Sequence, residues 1–163
     1  MKRYYPPGFD SKNIWHWLAV GLGSGLAPKA PGTCGSLAAV LCFIGLQHLS
    51  LLYFVIWLLC SFVVGLYAAT VAGKSFGVHD HGSIVIDEFV GQWLSLFPLV
   101  VYGQHSPWFW GVAFGAFRGF DILKPWPVGW LDRQVKGGLG VMLDDVAAGV
   151  MGAVVVWVLV RFF

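Results

Sequence analysis

The sequence predicts an all-α fold: a polytopic membrane bundle of four to five transmembrane helices, with a non-helical Gly/Pro-rich loop near the N-terminus. Three observations carry this. Only 11% of the 163 residues are charged, against about 25% in an ordinary soluble domain. Nine Trp, thirteen Phe and a mean hydropathy of +0.74 exceed what a soluble core of this size needs. Apolar runs, some reaching the roughly 20 residues that cross a hydrocarbon core, alternate with short polar turns. The length suits a single domain over 1–163, with 1–13 as a polar tail. A net charge of +2 without a basic block gives no footing for nucleic acid. Cys34, Cys42 and Cys60 are odd in number and lack CxxC spacing, which argues against a disulfide framework and a zinc site.

The elements follow in order. Pro6-Pro7-Gly8 prevents a helix in the tail. Residues 14–20 (IWHWLAV) are too short to span, and Trp15 and Trp17 suit the headgroup level, so an interfacial helix is predicted. Residues 21–35 hold five Gly and two Pro, which exclude a regular helix. Residues 36–49 form a short first span and 51–72 a full second one, joined by a turn at 47–50. A polar loop at 73–83 leads to a third span at 84–102. After a turn at 103–107, a short fourth span covers 108–122. Residues 123–143 are read as a polar Gly-rich loop, and 144–163 as the last span. The two short spans make four equally tenable with five.

Charge sets the orientation. With residues 1–35 inside, Lys2, Arg3, Lys12, Lys29, Lys74, Arg118, Lys124, Arg133 and Lys136 all lie on the cytoplasmic side, and only Arg161 lies outside. The same topology places every Asp and Glu inside, although the acids were not used to choose it.

The chemistry resides in those acids. Ionisable groups at membrane depth are costly and are functional candidates by default. Asp87-Glu88 and Asp144-Asp145 are adjacent pairs at the starts of apolar runs, and adjacent carboxylates repel unless a cation sits between them. The bland alternative, N-caps facing a helix dipole, suits Asp144 alone about as well but not the doubled acids. Asp80 joins Asp87, Glu88, Asp144 and Asp145 as a candidate ligand of Mg²⁺, which prefers a few carboxylates together with phosphate oxygens and water. Arg118, Asp121 and Lys124 recur every three residues and cluster at one helix end. Arg118, Lys124, Lys29 and Thr33 are the candidate phosphate binders, by side-chain charge or by backbone N–H groups entering a helix. Asp87, Glu88, Asp121, Asp145 and His81 are the candidate catalytic groups. His79 and His81 serve equally well as loop residues at the headgroups. No Cys has an Arg six positions on, and no DxDx[TV] run exists, so metal-assisted attack by water is the phosphatase chemistry that remains.

Three segments carry a resemblance. GLGSGLAPKAPGTCGSLAA (21–39), DHGSIVIDEFVGQW (80–93) and FDILKPWPVGWLDRQVKGGLGVMLDDVAAG (120–149) resemble the three blocks of the bacterial phosphatidylglycerophosphatase A family, in family order. The resemblance implies a Mg²⁺-dependent multi-pass enzyme of the bacterial inner membrane. It would remove the terminal phosphate of phosphatidylglycerophosphate in the cytoplasmic leaflet, in glycerophospholipid synthesis. The family's acidic positions match Asp80, Asp87, Glu88, Asp121, Asp132, Asp144 and Asp145. The alternative is a cation- or proton-coupled transport protein using the same carboxylates. Transport sites lie near the midplane, usually between repeats, and here the acids sit at one face and no repeat is visible.

Overall fold

The computed structural model describes residues 5–162, and every regular element among them is helical. Lys2 and Arg3 of the charge argument lie outside the described residues. Helix α1 (Ile14–Ala19) opens the chain, with the Asn13 side chain accepting from Trp15 N at 3.0 Å as its N-cap. A 3₁₀ segment follows at Gly21–Leu26. Helix α2 spans Pro31–Leu46, so the expected loop is shorter than 21–35. Pro31 costs no hydrogen bond at a first helical position, which lets the helix begin there. The helices α3 (Leu51–Phe76), α4 (Ile86–Tyr102) and α5 (Pro107–Leu123) match the predicted runs within a few residues. Gly77 and Gly103 close α3 and α4 at left-handed φ of 77° and 61°.

The region 123–143 differs from its reading as a loop. It contains α6 (Val128–Gln134) and the first two turns of α7 (Gly137–Phe162). Glycine is a poor helix former in isolation, but Gly138 and Gly140 are held by packing. A side chain at Gly138 would collide with Thr70 of α3, and one at Gly140 with the Val135 carbonyl. Asp144 and Asp145 therefore lie two turns inside α7 and are not N-caps.

Helix α4 sits at the centre, packed on α2, α3, α5 and α7, with α7 its most extensive partner. Glycine makes that crossing close: any side chain at Gly149 would meet the Gly91 backbone, and one at Gly91 would meet the Asp145 carbonyl and the Phe117 ring. Trp93 Nε1 donates to the Ala39 carbonyl at 2.9 Å, tying α4 to α2. Ser95 Oγ donates to the Ala113 carbonyl at 3.1 Å, tying it to α5.

Among the described residues, two helices, α3 and α7, are long and apolar enough to cross a membrane. α2, α4 and α5 have 16 or 17 residues and cover about 24–26 Å, short of a hydrocarbon core of about 30 Å. Large apolar side chains face outward from α3 (Leu52, Leu59, Val63), α2 (Leu41) and α7 (Val154, Trp157). Buried polar residues sit instead on the inward faces: Gln92 and Ser95 on α4, Asp144 and Asp145 on α7.

Candidate metal and phosphate site

The first turn of α4 carries Asp87 and Glu88, and the third turn of α7 carries Asp145. The close glycine crossing brings these turns together. One carboxylate oxygen from each of Asp87, Glu88 and Asp145 lies within 4.8 Å of the other two. Asp87 Oδ1, Glu88 Oε2 and Asp145 Oδ2 are buried and have no hydrogen-bond partner. Three carboxylates with buried oxygens at this spacing repel one another, and an uncompensated buried charge costs several kcal/mol. Hard oxygen donors left unpaired in this way fit a divalent cation.

Arg118 of α5 borders the cluster. Its guanidinium lies 2.6 Å from Asp121 Oδ2 and 3.9 Å from Glu88 Oε1, and it donates to Ser36 Oγ of α2 at 3.4 Å. The i,i+3 spacing of Arg118 and Asp121 thus forms the pair that the sequence suggested. The first turn of α2 closes the site. A side chain at Gly32 would meet Glu88 Oε1 and approach Arg118, so the α2 backbone comes close to both charged groups here. Thr33 follows Gly32 in the same turn and is half-buried.

Lys124 belongs to a second, adjoining group. It ends α5 in the left-handed region, φ 45°, which turns it out of the helical row of Arg118 and Asp121. Its Nζ donates to Asp132 Oδ1 at 2.6 Å and to Asp144 Oδ2 at 3.0 Å. Burial by itself lowers the pKa of this ammonium, but the hydrogen bonds to Asp132 and Asp144 outweigh it and hold Lys124 above the ordinary lysine value. Lys124 therefore stays charged. Asp144 Oδ2 is held by Lys124 while its Oδ1 is buried without a partner, so the doubled acids divide: Asp145 joins the carboxylate group and Asp144 anchors the lysine.

The remaining candidates lie apart. Asp80 lines a cavity of about 230 Å³ with His79, Asp132, Lys136 and Asp144, and is not among the three clustered acids. His81 Nδ1 accepts from Ser83 N at 3.2 Å, and its ring stands edge-on to Phe76. Both residues lie on the loop between α3 and α4, just before the turn that carries Asp87 and Glu88. Lys29 is exposed on the segment before α2. Asp132 is one of the acidic positions that the resemblance matches, but its part as partner of Lys124 is not legible in the sequence, because the helix α6 that presents it lies in a stretch that reads as loop.

The chain matches the family profile described as phosphatidylglycerophosphatase A over residues 17–160. The phosphatidylglycerophosphatase A of Escherichia coli (strain K12) is 48% identical over 148 residues, covering 86% of this chain and 80% of that protein. The protein of that name from Haemophilus influenzae is 44% identical over 149 residues, 89% of this chain and 88% of that protein. A Bacteroides thetaiotaomicron protein with the provisional name phosphatidylinositol-3-phosphatase is 38% identical over 146 residues, 85% of this chain and 89% of that protein. No solved structure matches the chain. With the profile spanning nearly all of the sequence and two relatives of one name above 40% identity, the chain belongs to the phosphatidylglycerophosphatase A family.

Proposed function

We propose that this protein hydrolyses phosphatidylglycerophosphate to phosphatidylglycerol and inorganic phosphate, with Mg²⁺, at the cytoplasmic face of the bacterial inner membrane. The observation that carries the reading is the convergence of Asp87, Glu88 and Asp145 from two helices beside Arg118. The family membership supports the substrate, since the two relatives above are named for it.

Asp87, Glu88 and Asp145 would hold the cation. When bound, a divalent cation supplies charge neutralisation for phosphate oxygens and makes a nearby water more acidic. Arg118 and Lys124 present two fixed cations to the phosphomonoester, and the N–H groups of the first turn of α2 add donors. Water attacks phosphorus and the bond from phosphorus to the glycerol oxygen breaks. Asp121, oriented by Arg118, takes the proton from the attacking water and returns it to solvent. The departing alkoxide takes one from solvent. Asp144 and Asp132 keep the Lys124 ammonium in place.

The multi-pass reading rests on α3 and α7 together with the shorter apolar helices α2, α4 and α5. Burial of polar residues on their inward faces and exposure of apolar ones outward supports it. Lys124, Arg133 and Lys136 lie near the ends of α5 and α6 that adjoin the site, which supports a cytoplasmic site.

The test is phosphate release by purified protein from phosphatidylglycerophosphate, with and without Mg²⁺. Phosphatidic acid and phosphatidylinositol 3-phosphate run beside it, the latter because of the Bacteroides relative's name. Release that requires Mg²⁺ and favours phosphatidylglycerophosphate is expected. Full release in EDTA removes the metal mechanism, and preference for another lipid removes the substrate assignment.

A further inference from the structure

One buried polar side chain has no place in the mechanism above. Gln92 of α4 is fully buried, yet both its Oε1 and its Nε2 lack a hydrogen-bond partner. Buried amides are rarely left so, because each unmade bond leaves the cost of desolvation uncompensated. Its position narrows the explanation. Gln92 lies four residues after Glu88 on one helix, hence on the same face, with about 6 Å between the two Cβ atoms. Glu88 Oε2 is itself buried without a partner. Across the interface, Gly91 packs against Phe117 and Ser95 bonds to Ala113, so α5 runs antiparallel beside α4 and Arg118 falls within a turn of Gln92. Arg118 Nε is a third buried group without a partner. Two donors, Gln92 Nε2 and Arg118 Nε, and two acceptors, Glu88 Oε2 and Gln92 Oε1, thus remain unused on adjoining turns, and a single buried water can take the two donors and give a hydrogen bond to the carboxylate oxygen.

We propose that Gln92 is a positioning residue of the carboxylate cluster: its amide N–H, through one buried water shared with Arg118 Nε, holds Glu88 Oε2 and fixes the orientation of that carboxylate toward the cation. The inference rests on the metal reading given above and adds a residue that touches neither cation nor lipid. Groups that orient ligands in this way typically change metal affinity about 10–100-fold when removed. A glutamine that is merely buried does the opposite of harm when replaced. Exchange of an unpaired amide for an apolar group of the same shape is neutral or stabilising.

The experiment compares wild type with Gln92→Met, which keeps length and shape, and with Gln92→Leu as a second variant should the first fail to accumulate. Two readouts are taken in detergent: the Mg²⁺ and Mn²⁺ concentrations giving half-maximal phosphate release, and the shift in thermal midpoint on adding each cation. The expected result is a cation requirement raised about 10-fold or more, a diminished cation-induced midpoint shift, and an unchanged KM for lipid. An unchanged cation requirement with an equal or higher midpoint overturns the assignment and leaves the metal reading intact. Absence of any cation response in the wild type overturns both.

Discussion

At the level of single residues, the adjacent acid pairs were legible from sequence but their division of labour was not. Asp87-Glu88 and Asp144-Asp145 stand out because carboxylates are expensive in a chain this apolar. Which of them meet depends on which faces of α4 and α7 touch, and that is set by Gly91 and Gly149. The row Arg118, Asp121, Lys124 was read as one cluster from its spacing. Helical geometry holds for the first two, and the left-handed backbone at Lys124 breaks it for the third. Asp80 and Asp145 therefore separate in experiment. Asp145→Asn should lower phosphate release about 100-fold or more, beyond the usual loss for an orienting group, while Asp80→Asn stays within a few-fold of wild type. Equal losses in both variants would place Asp80 at the reacting centre.

At the level of elements, the helices were mostly readable because long apolar runs bounded by Gly, Pro and Ser have few alternatives. The exception was the stretch before Asp144. Its glycines read as loop by intrinsic propensity, and contact with Thr70 and Val135 overrides that preference. The same close contacts make α4–α7 the element pair on which the site depends. Gly149→Val would push a branched side chain into the Gly91 backbone, and overpacking of this kind costs about 1–3 kcal/mol. A lower thermal midpoint together with lost phosphatase activity is expected. Gly115→Ala on α5, where nothing lies within 4 Å, should leave activity unaltered and the midpoint equal or higher, since alanine is the better helix former by about 1 kcal/mol. Similar behaviour of the two variants would show that the close crossing is not what assembles the site.

At the level of the whole molecule, the two ends of the bundle differ in chemistry. One end holds the carboxylates, Arg118 and Lys124. The other holds neutral polar pairs: Gln47 with His105 at 3.0 Å, and Trp157 donating to Tyr102 at 2.9 Å. Aromatic and neutral hydrogen-bonding groups of this sort suit a membrane–water interface. The orientation is testable by labelling introduced cysteines after Cys34, Cys42 and Cys60 are replaced. A Lys136→Cys thiol should react with an impermeant maleimide only once the inner membrane is opened. A Gln104→Cys thiol should react in intact spheroplasts. Labelling of both from one side would refute the multi-pass arrangement with an inward site.

The sequence by itself determined the all-helical class, the presence and order of the apolar helices, the acids that matter as a group, and the family. Those are decided by composition, by run length and by local motifs, all of which are one-dimensional. Only the tertiary structure decided that Asp145 and not Asp144 or Asp80 joins Asp87 and Glu88, that Lys124 leaves the Arg118 row, and that the Gln92 amide is buried without a partner. These depend on which helical faces meet and at what height, and that is fixed by glycine contacts between segments more than 50 residues apart in the chain.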